Sequence, residues 1–472
     1  MIGMGGPLLV TIAVLPLLID TIGLDRFGVL ALAWLVLTYF SQADFGLGRA
    51  TIRRVAELGP DRLDLRARVV ASAFAMMALG GVSVGFAAYL GGWWFFAREL
   101  ETSGTLREEM LDSLWLLAAA APLVGLSGIA SGSLTAVGRF KRVSLAQFVG
   151  GSGMQAFPLV AALAFGPDLE TLIGAAVLSR LLALAILLPA VWQSFFRDTA
   201  PAWDGGEARR LIGFGKWIML SALISPAMLV IDRFAIGALF GAAMVAIYTI
   251  PFQVASRLMV LPQAVMQVLF PHFARPRAGE AEGDGVRYVL PVALLFAPIV
   301  LVLLAFADPL LALWLGEGFD QRSVSVGRIV LAGFWVNAVA YVPYARIQAG
   351  GSPRFTGLLH LVEFPLYAAL LVASGYAFGI IGMAVAFALR CSADAAALLW
   401  RDGSLGARVL LPVTAMLAIF AALILVDPRG WTASALAFVP AAIATTILML
   451  TCLRDEAAMV LAHVRERRAT LA

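Results

Sequence analysis

Nine ionisable residues stand inside or at the edge of otherwise apolar stretches of this chain: Asp44, Arg49, Arg180, Asp232, Arg233, Arg257, Glu363, Arg390 and Asp394. A charge at the centre of a membrane helix costs about 2.5–3.5 kcal/mol on insertion scales, so such residues face an interior or water and commonly mark a pathway. Arg180, Arg257 and Arg390 fall near the middle of their apolar runs, and Glu363 lies about two turns into its own. Simpler readings compete. Arg390 and Asp394 are four residues apart and can pair on one helix face. Asp232 and Arg233 can form a structural salt bridge, and Arg49 and Arg346 sit where a long side chain can snorkel to the headgroups. Arg180 and Arg257 have no acidic neighbour at helical spacing within their runs, so a pairing role is hardest to assign to them.

The sign of the set is informative. Six arginines (these five and Arg346) face four acids, Asp44, Asp232, Glu363 and Asp394. A cavity lined by them is expected to be net positive and to attract an anion. Guanidinium suits phosphate in particular, because its planar donors make bidentate, charge-assisted contacts that a low-dielectric wall strengthens.

The elements that must position these residues follow from composition. The chain has 472 residues, is 61% hydrophobic and 14% charged, and has a mean hydropathy of +0.91, against roughly 45–50% apolar content in soluble domains. A membrane helix needs about 20 mostly apolar residues. Such windows recur with centres near Val10, Val36, Leu79, Ala119, Leu159, Leu182, Leu229, Met259, Val300, Ala338, Leu366, Val385, Leu417 and Ala442. The runs lack the in/out alternation of an outer-membrane barrel, and backbone groups in lipid must be satisfied internally. An all-α, polytopic membrane protein of about 14 transmembrane helices is therefore expected.

Cytoplasmic loops carry excess Lys and Arg. With the N-terminus inside, 22 of the 34 basic residues fall in cytoplasmic segments and six in outside loops (Arg26, Arg98, Arg107, Arg322, Arg328 and Arg429). Both termini are thus expected in the cytoplasm. The first apolar run lacks a preceding basic region and a small-residue cleavage signal, so no removable signal peptide is expected. Cys391 and Cys452 offer no disulfide framework or metal spacing, and His272, His360 and His463 pair with no nucleophile, so no metal site or catalytic centre is expected.

The long basic connection around "FFRDTAPAWDGGEARRLIGFGKW" divides the chain after six helices. Each half opens with a proline-interrupted helix, "VLPLLIDTIG" and "LISPAMLVIDRFAIG". Two pseudo-symmetric six-helix bundles, residues 1–196 and 213–400, are expected around a linker at 197–212, followed by a helix pair at 401–453 and a tail at 454–472. Broken helices in corresponding places are the mark of a transporter with internal repeats.

The stretches "RFGVLALAWLVLTYFSQADFGLGRATIRRVAE", "VIDRFAIGALFGAAMVAIYTIPFQVASRLMVLPQAVMQVLFPHFAR", "PLLALWLGEGF" and "RIQAGGSPRFTGLLHLVEFPLYAALL" resemble the Wzx-type oligosaccharide flippases, the polysaccharide-transporter branch of the multidrug/oligosaccharidyl-lipid/polysaccharide superfamily. The similarity runs in order over nearly the whole chain. It implies a bacterial inner-membrane protein, not an enzyme, that carries an undecaprenyl-pyrophosphate-linked oligosaccharide from the cytoplasmic to the periplasmic leaflet. Arg49, Arg180, Arg233, Arg257 and Arg390 would contact the substrate, and Asp44, Asp232, Glu363 and Asp394 would serve coupling or gating. It implies no cofactor beyond a coupling H+ or Na+, no nucleic acid, contact with membrane lipids, and polysaccharide polymerase and chain-length machinery as partners. A lipid II flippase shares the diphosphate chemistry. A cationic-drug exporter of the same superfamily calls for an acidic cavity, and an O-antigen ligase or polymerase for a large periplasmic loop with catalytic groups.

The charge count generates a direct test of topology. Reporter fusions at Gly104 and Gly430 should read periplasmic and those at Gly205 and Gly283 cytoplasmic; any exchange between the two groups overturns the assignment.

Overall fold

The computed structural model describes residues 2–42, 47–59, 61–100, 102–213, 227–273, 285–316, 319–349 and 353–453. Every regular element among them is helical. The chain divides into two compact units, Met1–Ala246 and Ile247–Ala472.

In the first unit the helices are α1 (Ile2–Ile22), α2 (Leu24–Gln42), α3 (Leu47–Glu57), α4 (Leu63–Trp94), α5 (Gly104–Ala136), α6 (Phe140–Phe165), α7 (Leu169–Val191) and α8 (Ile231–Phe240). With α9 (Ala242–Arg257), which carries the division between units, the second contains α10 (Val260–Phe273), α11 (Val286–Ala305), α12 (Ala307–Leu315), α13 (Arg322–Ala349), α14 (Pro353–Arg401), α15 (Ala407–Val426) and α16 (Gly430–Cys452). Hydroxyls inside these apolar helices turn back onto their own backbone: Thr11 donates to Pro7 O, Ser133 to Ile129 O and Thr446 to Ala442 O, each four residues back. That local bond is how Ser and Thr remain satisfied where water is absent.

Among the described residues eleven helical stretches are long and apolar enough to cross a membrane. Their difference from the fourteen apolar windows has identifiable sources. The window near Val10 lies on α1, whose side chains are described without a break only over Leu9–Ile22, and the window near Leu229 runs into residues 214–226, outside those described. Those near Leu366 and Val385 share α14, whose apolar stretch is 48 residues long. At 1.5 Å per residue it would measure roughly 72 Å, more than twice the ~30 Å of hydrocarbon. It is two arms joined by a kink. Gly379 adopts φ +62° and ψ −149°, a conformation essentially reserved for glycine.

The first unit is built on close helix contact. Gly81 and Gly85 of α4 face Pro122 and Ala118 of α5, and a Cβ at Gly81 would stand 2.6 Å from Pro122 Cα. Small residues spaced by four allow such approach where apolar burial offers no drive between helices. An ion pair ties α2 to α5. Arg26 of α2 donates to Glu109 of α5 at 2.6 Å, and the same carboxylate accepts the Leu169 backbone N–H at the start of α7 at 3.2 Å. Near the opposite end of α5, where Gly132 lies against Gly48 and Ile52 of α3, the helical residues 205–213 dock on α3 and α4. Leu211 joins Val55, Val69, Leu134, Leu187 and Phe195 in one core.

The second unit centres on α13, along which aromatic groups interlock. Trp335 is buried, donates its indole N–H to Ala293 O of α11 at 2.9 Å, and meets Phe420 of α15 edge-on at 5.2 Å. Phe252, Phe334 and Phe387 form a triangle with centroids 5.0–5.3 Å apart. Arg328, expected in a loop, is instead in α13 and 1% exposed. Its guanidinium donates to Leu304 O, Pro428 O and Asp427, and Asp308 accepts the Gly430 N–H at 2.7 Å. The turn before α16 is thereby bound to α11, α12 and α13. All three donor positions of this arginine are used, so it is structural.

Replacing Arg328 by Ala should lower the unfolding free energy by about 1.5–3 kcal/mol, the range for a hydrogen bond to a charged group. Thermal unfolding of purified protein measures it as a reduced Tm; an unchanged Tm would refute the role.

Candidate functional site

The structure sorts the charged residues singled out from sequence into those that are answered by partners and those that are not. Asp44 lies outside the described residues, and Arg49 falls on α3, with its side chain outside them. Arg233 and Asp232 pair directly at 2.7 Å on α8 and are buried, and Arg233 also donates to Leu229 O. Arg346 of α13 donates to Asp402 at 2.8 Å, beyond the end of α14. The snorkelling read from sequence is here an ion pair, because the second arm of α14 returns to the end at which α13 finishes.

Three arginines have no such answer. Arg180 of α7 is half-buried and its one hydrogen bond runs to the thioether of Met154, at 2.9 Å. A thioether is a weak acceptor without charge. Gly150 of α6 lies beside the guanidinium, where a Cβ would stand in ordinary contact 3.6 Å from Arg180 Nη1. Arg257, at the end of α9, is half-buried. Arg390 lies over the rings of Tyr367 and Phe387, 5.5 Å from each centroid, and donates to Cys391 Sγ at 3.3 Å. Among the described residues no carboxylate comes within 4.0 Å of Arg180, Arg257 or Arg390. The Arg390–Asp394 pair suggested by the i,i+4 spacing is thus absent: the guanidinium turns onto aromatic faces, a cation–π arrangement.

The acids of α14 have a different neighbour. The kink at Gly379 folds the two arms together, so that His360 and Glu363 on the first meet Asp394 on the second. One ligand atom of each lies within 4.8 Å of the others, and all three residues are buried. His360 Nε2 is 3.9 Å from Asp394 Oδ1. The sequence reading set His360 aside as a residue near a helix end. Its position two turns into α14 and opposite Asp394 depends on a hairpin that linear spacing does not display, although the "YAFGIIG" turn region was its available signal.

A cleft of about 210 Å³ in the first unit is lined by Ala50, Arg53, Arg54, Glu57, Arg210 and Leu211. Its floor is an ion pair between α3 and residues 205–213. Arg54 donates twice to buried Glu207, both bonds at 2.7 Å, and Arg210 donates to the same carboxylate at 2.9 Å. These bonds hold the Glu207 carboxyl below the usual glutamate range. Asp204 caps the segment, accepting from the N–H groups of Gly206 and Glu207.

These features were compared with known proteins. A family model described as "Polysaccharide biosynthesis protein" matches residues 22–324. A Shigella flexneri protein provisionally named an O-antigen transporter is 27% identical over 400 residues, covering 84% of this chain and 94% of its own. Among solved structures, an inward-facing multidrug resistance MATE transporter of the MOP superfamily aligns with a TM-score of 0.70 at 16% identity, over 87% of this chain and 96% of that one. The lipid II flippase MurJ in an inward closed conformation aligns with the same TM-score at 14% identity, over 93% and 96%. At these identities the structures share the fold alone.

The Glu207 cluster carries a pH signature. A carboxyl with a lowered folded pKa stabilises above its unfolded value, about 4.3 for Glu, and that contribution is lost as pH falls through the folded pKa. Glu207→Gln should therefore reduce stability near pH 7 by about 1 kcal/mol, since its arginine partners reach solvent. Variant and wild-type Tm should converge under acid conditions; a constant difference across pH would refute the assignment.

Proposed function

The chain belongs to the polysaccharide biosynthesis protein family, and on that premise we propose that it is a Wzx-type flippase carrying a lipid-diphosphate-linked oligosaccharide across the bacterial inner membrane. It has the fold of MOP-superfamily transporters, and its multi-pass helical chain supplies the membrane setting. The single observation that carries the proposal is the set of half-buried arginines with no carboxylate within 4.0 Å among the described residues: Arg180 in the first unit, Arg257 and Arg390 in the second. An unanswered guanidinium in an apolar helix is an unfavourable arrangement unless an anion meets it during the working cycle. A diphosphate meets the requirement with charge and with planar acceptor geometry. A cationic drug does not.

In this reading Arg180, Arg257 and Arg390 contact the diphosphate at stages of alternating access. Arg233, held by Asp232, contributes field rather than contact, and Arg49 acts with them from α3. Movement of the lipid-linked oligosaccharide from the cytoplasmic to the periplasmic leaflet, with fourteen membrane helices and both termini cytoplasmic, completes the proposal. The related protein's O-antigen name and the lipid II substrate named for MurJ support a lipid-linked glycan as the substrate class.

The test separates charge from shape at Arg257. Lysine keeps the charge and loses the planar fork, and alanine loses both. Export of the glycan in cells, normalised to folded protein in the membrane, should fall partially for Arg257→Lys and roughly 10-fold or more for Arg257→Ala, consistent with about 1.5–3 kcal/mol for a charged hydrogen bond. Normal export per molecule by Arg257→Ala and Arg180→Ala would overturn the proposal.

A further inference from the structure

The second unit holds one buried polar cluster that anion binding does not use. His360, Glu363 and Asp394 are 8%, 9% and 7% exposed. His360 Nδ1, Glu363 Oε2 and Asp394 Oδ1 are buried without a hydrogen-bond partner. Ionised carboxylates and the bare nitrogen of a neutral imidazole are acceptors, and the one N–H of that imidazole cannot serve both carboxylates. The 3.9 Å between His360 Nε2 and Asp394 Oδ1 also exceeds hydrogen-bond length.

The charged and titratable groups around the cluster leave its charge uncompensated. From α13, Tyr344 stacks on the His360 ring at 6.3 Å and 19°. From α14, Arg390 acts on both carboxylates at a distance, but its guanidinium faces Tyr367 and Phe387 and bonds to Cys391. Two carboxylates in a buried span, each short of a donor, are costly unless a cation joins them.

We propose that His360, Glu363 and Asp394 bind one divalent transition-metal ion, of which Zn2+ is the probe, and that the ion pins the two arms of α14 across the kink at Gly379. Donor chemistry selects the class. An imidazole nitrogen with two carboxylate oxygens suits Zn2+ and its neighbours, whereas alkali and alkaline-earth ions favour all-oxygen sets. Charge supports the same class, because two carboxylates and a divalent ion form a neutral unit. The ligand atoms, already within 4.8 Å of one another, must contract to about 3.4 Å for a tetrahedral set with bonds near 2.0–2.1 Å. The open torsions of Glu363 supply that reach, and the Tyr344 ring stacks beside the imidazole. The inference goes beyond glycan export and assigns Glu363 and Asp394 to a metal rather than to coupling.

The experiment uses purified full-length protein stripped with chelator and titrated with Zn2+, with bound metal and Tm as readouts and no lipid-linked substrate present. It therefore succeeds or fails independently of the export proposal. One Zn2+ per chain and a saturable rise in Tm are expected, and H360A, E363Q and D394N should each weaken binding at least 10-fold. Without metal, E363Q and D394N should melt no lower than wild type, because each removes a buried unpaired charge; a purely structural role predicts that they melt lower. H360C, which restores a metal-binding side chain, should recover binding that H360A loses. Failure to bind stoichiometric Zn2+ overturns the proposal. So does binding undiminished in all three variants, which places the ion elsewhere, or equal stabilisation by Na+ alone.

Discussion

A charge buried in an apolar helix must be answered, by an opposite charge, a polar backbone group or a ligand, and the two units of this protein are organised around how that requirement is met. Arg328 shows the complete answer: two carbonyls and a carboxylate occupy its guanidinium. The elements it touches are accordingly held together, and α16 is fixed through the turn at Asp427. Arg26 with Glu109, and Arg54 with Glu207, do the same near two ends of the first unit. Such pairs contribute through what their loss would expose: removal of one partner leaves the other uncompensated, which costs more than the pair itself supplies.

Against that background the incomplete answers acquire meaning. Arg180 ends on a thioether and Arg390 on a thiol and two ring faces. These are soft, adaptable contacts that a stronger anionic acceptor would displace without breaking a salt bridge. A transporter needs binding groups that are desolvated and positioned yet available. The same logic with opposite sign applies on α14, where acceptors gather without donors. Positive and negative deficits remain separate there because Arg390 turns toward aromatic rings instead of Asp394, and that rotation leaves room for two functions in neighbouring residues of one helix.

Much of this was legible in the sequence because its physical cause is local. Apolar runs of spanning length, interrupted by Gly and Pro, specify helices in lipid whatever their neighbours are, and an arginine within such a run is visible as an anomaly. Arg180 and Arg257, which lacked an acid at helical spacing, also have none within 4.0 Å among the described residues. The family motifs placed the chain among polysaccharide transporters, and the family and fold comparisons agree with that placement.

What the tertiary structure alone decided concerns pairs distant along the chain. Spacing put Arg390 with Asp394, but the turn at Gly379 brings His360 and Glu363 to that aspartate from 34 and 31 residues back along the chain, a separation no helical wheel connects. Spacing put Arg346 at a headgroup and Arg328 in a loop, and the return of later helices along α13 gave each a carboxylate 56 and 99 residues away. Sequence determines which residues need a partner, because burial of charge is costly wherever it occurs. Which partner they receive depends on how the helices turn back on one another, and that is a property of the packed units.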